Sequence, residues 1–283
     1  MILFKKTADL RKWLDDQSKK GNLTGFVPTM GALHEGHISL IEASHNENSA
    51  TVCSIFVNPT QFNDPKDFKK YPVTIETDIA MLEAAGCTAL FLPSVEEVYP
   101  GGLIAARHYN LGYQETILEG KFRPGHFQGV CQVVHRLLEI VQPSHLYLGQ
   151  KDYQQCMVIT KLTELINKDS TIKIRICPTL REEDGLAMSS RNRRLNKEER
   201  RTATAIYQSL RLVKENLHPD NLLSLQQEAQ HMLRKAGFTI DYVEIADAED
   251  LSPVVNWDGK KKLVGLVAAF LNEVRLIDNM LLN

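Results

Sequence analysis

Short apolar runs alternate with longer amphipathic stretches over most of the first 178 residues of the chain. The apolar runs are rich in β-branched and aromatic residues and read LTGFVP, TVCSIFVN, CTALFLP, SHLYLG and TIKIRICP. The stretches between them carry apolar residues three or four positions apart, which is typical of amphipathic helices. This alternation predicts an α/β fold with a doubly wound, mostly parallel, Rossmann-like sheet that is covered by helices on both faces.

The pattern changes after about residue 178. The chain then has two helical stretches, NKEERRTATAIYQSLRLVKENL from Asn196 and NLLSLQQEAQHMLRKAG from Asn221. The alternating runs TIDYVEIAD and KKLVGLVAAFLNEVRLID follow them and predict strands. We therefore expect two domains. A Rossmann-like domain would cover residues 1–178, and a smaller C-terminal α+β domain would cover residues 179–283.

The charge and cysteine content exclude several classes of protein. The 33 basic and 35 acidic side chains give a formal charge of -2, so no overall field attracts nucleic acid or an anionic membrane. No run of eighteen apolar residues predicts a membrane span, and the start MILFKK lacks the order of a signal peptide. Five cysteines without a Cys-x-x-Cys pair predict buried thiols in a reducing compartment. We expect a cytoplasmic protein.

Polar residues follow the predicted strands at four places along the chain. They are His34 and His37; Asn58 and Gln61; Lys151 and Asp152; and Ser189, Ser190 and Arg191. Ligands of a doubly wound sheet bind at the carboxyl ends of its strands, so we expect these four segments to meet at one cleft. Their N–H donors and positive charges, with helix N-termini nearby, are suited to a polyphosphate.

The stretch GALHEGHI has the two-glycine spacing of a P-loop at Gly31 and Gly36, but His-Ile follows where that motif needs Lys and then Ser or Thr. It is therefore not a Walker loop. The helix dipole disfavours the cationic form of an imidazole in the first helical turn. The two histidines would then act as neutral donors to a phosphate whose charge grows during the reaction.

Each feature also has a simpler explanation. A histidine at a helix start can cap the helix or pack against it, and the pair could hold zinc, although the spacing is not His-Glu-x-x-His and no third ligand follows. Lys151 alone would be a solvated lysine, and Ser-Ser-Arg an ordinary turn. Their shared position behind strands is what favours a functional site.

Five stretches in order between Pro28 and Leu195 resemble a known family. PTMGALHEGH, SIFVNPTQF, LEGKFRPGHFQGV, KDYQQ and DGLAMSSRNRRL together look like pantothenate synthetase, the pantoate–β-alanine ligase family of the nucleotidyltransferase superfamily with a His-x-Gly-His signature. The resemblance implies that pantoate attacks the α-phosphate of ATP to form pantoyl adenylate, and that β-alanine then displaces AMP. It also implies Mg²⁺, a cytoplasmic homodimer, and a place in pantothenate and coenzyme A biosynthesis.

The resemblance implies that four segments bind ATP. Their residues are Met30, Gly31, Ala32, Leu33, His34, Glu35, Gly36 and His37; Gly149, Gln150, Lys151 and Asp152; Leu180; and Met188, Ser189, Ser190 and Arg191. The expected catalytic residues among them are His34, His37, Lys151, Ser189, Ser190 and Arg191, with His37 as the proton donor. The last three would belong to a mobile loop of a lid domain.

Two amides are expected to bind pantoate. Gln61 and Gln155 would hydrogen-bond its hydroxyls and carboxylate, because an amide both donates and accepts. Gln61 would also border the β-alanine site, and Arg123 in RPGHF is a further candidate.

The chain departs from the family pattern at several positions. Gln150 stands where family members commonly have Glu, and Val73 stands where an arginine is usual. Asp78 is kept, but Thr77 and Met81 lie where some members have magnesium-linked groups. No protein ligand of the metal is therefore assigned, and ATP phosphates would hold it.

The sequence is also compatible with two other functions. The chain could be a nucleotidyltransferase that acts on a phosphate-bearing coenzyme precursor, and its product would then keep the nucleotide. It could also be a non-catalytic nucleotide sensor, although Gln61 and Gln155 would then have no second ligand. A tRNA synthetase is excluded by the near-neutral last hundred residues, which offer no basic anticodon-binding extension.

Overall fold

The computed structural model describes residues 1–61, 71–102, 107–166 and 172–283. The chain divides into two compact units. The first unit comprises Met1–Gly149 and Gln155–Pro178, and the second comprises Gln150–Gln154 and Thr179–Asn283. Among the described residues, no helix combines the length and the apolar character that crossing a membrane requires.

The described part of the first unit alternates strands and helices, and its last helix begins with Tyr153 and Gln154, which belong to the second unit. The strands and helices are β1 (Ile2–Phe4), α1 (Thr7–Lys19), β2 (Thr24–Thr29), α2 (Glu35–Glu47), β3 (Ala50–Ile55), α3 (Ile75–Ala84), β4 (Ala89–Phe91), α4 (Val95–Val98), α5 (Leu118–Phe122), α6 (His126–Val141), β5 (His145–Gly149), α7 (Tyr153–Ile166) and β6 (Lys173–Cys177). Short 3₁₀ turns cover Pro59–Gln61 and Gly112–Glu115. The five strands expected from the apolar runs are all present. β1 is an additional strand. Ile2 and Leu3 are exposed, so β1 lacks the long apolar run of a buried strand.

The strands form one parallel sheet in the order β1-β4-β3-β2-β5-β6. The order reverses direction around β2, which pairs with β3 on one side and with β5 on the other. The predicted α/β fold class is confirmed. In sheets of this kind the carboxyl ends of the strands at such a reversal border the ligand.

Helices cover both faces of the sheet. Neighbouring residues of a strand point to opposite faces, so a continuous apolar strand needs a core on each side. Phe26 and Val52 pack in a core with α1, α6 and α7, whereas Val27 and Cys53 pack in a second core with α2 and α3. All four side chains are fully buried. Burying a valine or phenylalanine side chain stabilises the fold by about 1.5–3 kcal/mol, so both cores contribute to holding the strand ends in place.

The second unit contains three helices and a three-stranded sheet among its described residues. They are α8 (Lys197–Thr202), α9 (Ala205–Glu215), α10 (Leu222–Lys235), β7 (Thr239–Asp247), β8 (Leu263–Leu271) and β9 (Val274–Leu281), with 3₁₀ turns at Gln150–Asp152 and Ser190–Arg194. The sheet is antiparallel in the order β7-β8-β9, as expected for a smaller α+β domain.

Two predicted segments of this unit differ in detail from the structure. The helical stretch that begins near Asn196 is two helices, because tight bonds such as Thr204 N–H to the Arg201 carbonyl replace the regular helical pattern at the junction. The last predicted apolar run is a hairpin of β8 and β9. Asn272, with a φ of +51°, forms its turn, and asparagine tolerates this left-handed conformation better than most residues.

The segment Gln150–Gln154 belongs to the second unit, although the predicted first domain covers residues 1–178. The side-chain amide of Asn279 donates to the carbonyls of Gln150 and Lys151, at 2.9 and 2.8 Å. The Tyr153 hydroxyl also donates to the Ala248 carbonyl, at 2.6 Å. These bonds tie the segment to the second unit. The limits 1–178 and 179–283 stay a prediction for independently folding domains.

Candidate active site

The loop after β2, which carries the first part of the predicted ATP site, turns sharply at two residues. Gly31 and Ala32 have φ angles of +80° and +50°. Glycine adopts this conformation freely, whereas other residues are strained in it by about 1–3 kcal/mol. A Cβ on Gly31 would lie 3.0 Å from Ile55 Cγ2 and 3.1 Å from Asp78 Oδ2, so the position also lacks room for a side chain. The loop is packed against the core, and Ala32 is fully buried.

The carboxylate of Asp78 holds this loop. Asp78 lies on α3 with no exposed surface, and it accepts the N–H groups of Ala32 and Leu33, each at 2.9 Å. The Thr74 hydroxyl donates to the same carboxylate at 2.9 Å. Hydrogen bonds to a charged group contribute about 1.5–3 kcal/mol each, so this contact is strong enough to keep Ala32 in its strained conformation.

The sequence did not reveal this role of Asp78. The sequence does contain an indication that Asp78 is buried. Ile75, Ile79 and Leu82 follow one another at helical spacing, and Asp78 falls on the same face. A carboxylate on the buried face of a helix needs partners. Which backbone groups would supply them could not be read from the sequence.

His34 and His37 lie together at the start of α2. They form a reciprocal capping box, and their ring centroids are 4.0 Å apart. The backbone N–H of His34 donates to His37 Nδ1 at 3.3 Å. Because Nδ1 accepts this bond, the hydrogen of the neutral His37 ring lies on Nε2. His37 can therefore donate from Nε2 at the positive end of the helix dipole.

The turn after β3 places Gln61 beside the same loop, since Gln61 Nε2 donates to Met30 Sδ at 2.9 Å. The fully buried Asn58 fixes the turn by donating to Gln61 Oε1 at 3.3 Å and to the Gly129 carbonyl at 3.2 Å. Its Oδ1 accepts from the Tyr99 hydroxyl at 3.2 Å. Burial raises the pKa of Tyr99 to about 12, so the hydroxyl keeps the hydrogen that it donates.

The RPGHF segment makes a second contact with Gln61. His126 Nδ1 lies 2.9 Å from the Gln61 carbonyl oxygen, and Arg123 Nη1 lies 3.0 Å from His126 Nε2. A guanidinium only donates, so Nε2 accepts and the Nδ1–H donates to Gln61. Arg123 also pairs with Glu119 at 3.4 Å. The candidate Arg123 thus supports Gln61 through His126.

Gln155, the other predicted pantoate ligand, lies in the first turn of α7 and is partly exposed. The preceding strand ends at Gly149, whose carbonyl accepts from the Cys156 thiol at 3.3 Å. A Cβ on Gly149 would meet no atom within 4 Å, so the backbone there is open to a ligand.

In the second unit, Lys151 lies in the 3₁₀ turn Gln150–Asp152. Its Nζ is 3.8 Å from Asp152 Oδ2, and its side chain is 17% exposed. The bonds from Asn279 to the backbone of this turn fix the position from which the lysine side chain extends.

Residues 180–191 of the second unit form a short hairpin and then a turn. Arg181 and Ala187 pair in an antiparallel bridge. Ser189 Oγ accepts from the Arg191 N–H at 3.3 Å and so caps the 3₁₀ turn that follows. Of the other predicted ATP residues here, Leu180 is exposed, Met188 is partly exposed and Ser190 is buried.

The predicted site residues thus fall into two groups. In the first unit, the loop that carries His34 and His37 contacts the turn that carries Gln61. In the second unit, Asn279 holds the turn of Lys151. The expectation that all of these residues surround one nucleotide stays a prediction.

The family model for pantoate-beta-alanine ligase matches residues 2–281. The chain belongs to the pantoate–β-alanine ligase family. The ligase is 45% identical to pantothenate synthetase of Bacteroides fragilis over 275 residues, 96% of this chain and 95% of that protein. It is 42% identical to pantothenate synthetase of Cytophaga hutchinsonii over 287 residues, 100% of this chain and 99% of that protein.

Solved structures of the family have the same fold as this ligase. Pantothenate synthetase of Thermus thermophilus aligns with a TM-score of 0.91 at 39% identity, and the alignment covers 99% of both chains. Pantoate-beta-alanine ligase of Francisella tularensis, complexed with beta-gamma ATP and beta-alanine, aligns with a TM-score of 0.84 at 37% identity, over 99% of this chain and 97% of that chain. The predicted family, fold class and enzyme class are confirmed.

The ligase differs from the expected family pattern at residues whose surroundings are now defined. Val73 is 74% exposed, so it fills no space in the core. Gln150 Nε2 donates to Asn279 Oδ1 at 3.4 Å. Thr77 is exposed, and Met81 packs against the core beneath α2 and α3.

Proposed function

We propose that this ligase makes pantothenate in two steps through pantoyl adenylate. A carboxylate oxygen of pantoate attacks the α-phosphorus of ATP, and pyrophosphate leaves. The amine of β-alanine then attacks the acyl carbon, and AMP leaves with the oxygen that came from pantoate. The observation that best supports this scheme is the contact between Gln61 and Met30, because it brings an amide suited to the organic acid beside the histidine-bearing loop.

The adenylation step depends on charge stabilisation. A carboxylate is ionised at neutral pH, so pantoate needs alignment rather than a strong general base. In our scheme, His37 donates its Nε2–H to the phosphate oxygens as negative charge develops, and His34 lies beside it in the same helical turn. Preorganised donors of this kind each contribute about 10²- to 10³-fold to the rate.

The residues of the second unit have complementary roles in the proposal. Lys151 and Arg191 supply positive charge to the phosphates, and Asp152 binds the ribose. Ser189 and Ser190 contribute hydroxyl donors from a loop that orders on the nucleotide and keeps water from the acyl adenylate. Leu180 and Met188 line the adenosine.

Gln61 and Gln155 bind pantoate in the proposal. The present partners of the Gln61 side chain are a thioether sulfur and an amide at 3.3 Å, which are weak or long contacts that a hydroxyl or carboxylate of the substrate can replace. The backbone of Gln61 stays anchored by His126, so the side chain reorients without moving the turn. The β-alanine amine would approach beside Gln61.

The proposal includes Mg²⁺ as a partner of ATP. Within the described ranges, no group of three His, Cys, Asp or Glu side chains could hold a metal ion. Asp78 is the acidic residue that the chain keeps in the region of the family's magnesium-linked groups. It is buried and already accepts three hydrogen bonds from the protein. We therefore assign the ion to the phosphate oxygens and water, which magnesium accepts readily. Bound there, it would neutralise phosphate charge.

We also propose that the ligase is a cytoplasmic homodimer, as the resemblance implies. Light scattering of the purified protein should give about twice the 32.0 kDa chain mass. A mass equal to a single chain at assay concentrations would contradict the dimer and leave the reaction scheme intact.

The reaction scheme is tested by isotope transfer. With pantoate labelled with ¹⁸O in the carboxylate, AMP should carry one labelled oxygen, and its release should require both pantoate and β-alanine. Without β-alanine, labelled pyrophosphate should exchange into ATP only when pantoate is present. ADP with label in inorganic phosphate would refute the adenylate. A product that keeps the nucleotide would indicate a nucleotidyltransferase instead.

A further inference from the structure

Two adjacent polar residues lie buried on β9 of the second unit. Asp278 and Asn279 are 4% and 2% exposed, in a sheet that also contributes many apolar side chains to the core of the unit. Buried polar groups are retained only with hydrogen-bond partners, so their partners indicate what these residues do.

The side chain of Asn279 makes three hydrogen bonds with the turn that carries Lys151. Its amide group donates to the carbonyls of Gln150 and Lys151, at 2.9 and 2.8 Å, and its Oδ1 accepts from Gln150 Nε2 at 3.4 Å. Two successive carbonyls held by one amide leave the turn little freedom to shift. The backbone position of Lys151 is therefore set by one side chain on β9.

Asp278 fixes Asn279 in turn. Its carboxylate accepts both terminal nitrogens of Arg181, at 2.6 and 3.0 Å, and Oδ1 also accepts the Asn279 N–H at 2.8 Å. Arg181 donates further to the Asn279 carbonyl at 3.1 Å. Burial raises the pKa of Asp278, and the charges of Arg181 and Lys151 oppose that shift. The strand residues and the hairpin that starts at Arg181 form one network.

We infer that Asn279 is a positioning residue that sets the location of the Lys151 ammonium for the adenylation step. The inference rests on the proposed role of Lys151 at the phosphates. A lysine can neutralise growing charge only from the correct place, and a misplacement of about 1 Å can lower a rate by about 10²-fold. Asn279 touches none of the three substrates in this scheme and acts only through the turn.

The test is a double-mutant cycle on kcat for AMP formation. We expect Asn279→Ala to lower kcat by about 10²-fold. Lys151→Ala should lower kcat by about 10²- to 10³-fold. In the Lys151→Ala background, Asn279→Ala should change kcat by less than about 2-fold, because the group that it positions is gone. The KM for pantoate should stay unchanged in all three variants.

Leu276→Ala is the matched control, because Leu276 is buried on the same strand and contacts the apolar core. It should lower the thermal midpoint and leave kcat within about 3-fold of the wild type. If Asn279→Ala does not fold, Asn279→Ser is tested instead. Serine keeps one hydrogen-bond donor, so this variant should lose less kcat than Asn279→Ala would.

Three outcomes would overturn parts of the scheme. An equal effect of the Asn279 substitution in both backgrounds would show a merely structural role and leave the role of Lys151 standing. A loss of kcat in Leu276→Ala as large as in Asn279→Ala would have the same meaning. An unchanged kcat in Lys151→Ala would instead refute the proposed function of that lysine.

Discussion

Replacing Asp78 with asparagine tests whether a buried carboxylate shapes the loop that carries the histidines. In the ligase, one carboxylate oxygen accepts from the Leu33 N–H and the Thr74 hydroxyl, and the other accepts from the Ala32 N–H. An amide offers only one acceptor oxygen, so its NH₂ group must face at least one of these donors. If the oxygen stays with Leu33 and Thr74, the buried N–H of Ala32 loses its partner.

The size of the effect follows from these contacts. One unsatisfied buried N–H costs about 1–3 kcal/mol, and exchanging a charged acceptor for a neutral one weakens the remaining bonds by about 1 kcal/mol. The substitution should therefore destabilise the loop by about 2–4 kcal/mol. In a unit of this size, that corresponds to a thermal midpoint lower by about 4–16 °C. Ala32 would also relax from its left-handed conformation and move the histidines, with a loss in kcat of about 10²-fold.

The assay combines AMP formation with thermal unfolding of the same samples. Thr74→Val is the matched control, because it removes one neutral bond to the same carboxylate and keeps both backbone bonds, so its effect should be about 1 kcal/mol and less than about 3-fold in kcat. A folded Asp78→Asn protein with the thermal midpoint and kcat of the wild type would refute the reasoning.

Three further predictions concern other parts of the ligase. His37→Ala should lower kcat for AMP formation by about 10²- to 10³-fold, and unchanged turnover would remove His37 from the mechanism. Gly129→Ala would place a Cβ 2.4 Å from the Thr60 carbonyl oxygen, so it should destabilise the protein by about 1–3 kcal/mol and raise the KM for pantoate; an unchanged KM would show that the turn tolerates the shift. Burial lowers the pKa of His135 and His145 below the ordinary value near 6.5. The folded state binds these protons more weakly than the unfolded chain, so the thermal midpoint should fall as pH drops from about 7 to about 5, and a rise would contradict the assignment.

Much of the fold was predictable because its driving pattern is local. A parallel strand that is buried on both faces reads as a continuous apolar run, and the helices that cover it repeat every three or four residues. Both departures from the prediction also have local causes. The strand Ile2–Phe4 is mostly exposed and lacks a long apolar run, and the run that forms β8 and β9 has no break in its apolar pattern at the turn of Asn272.

The site was predictable only at the level of residue types. His34, His37 and Gln61 follow strand ends, and the sequence alone grouped them at one edge of a parallel sheet. Three contacts of Gln61 were not predictable: its side chain with Met30, its backbone with His126, and its turn with Asn58. Each contact joins residues that are far apart in the chain or depends on the exact path of a turn.

The α/β class, most of the element order and the family follow from the sequence, because they depend on short-range periodicity and on motifs read in order. How the functional groups are held depends on the tertiary structure. Asp78 accepts hydrogen bonds from two backbone N–H groups more than forty residues away. Asn279, near the end of the sequence, donates to the turn that carries Lys151. A buried polar side chain requires a partner, but which partner it meets depends on packing that brings distant segments into contact.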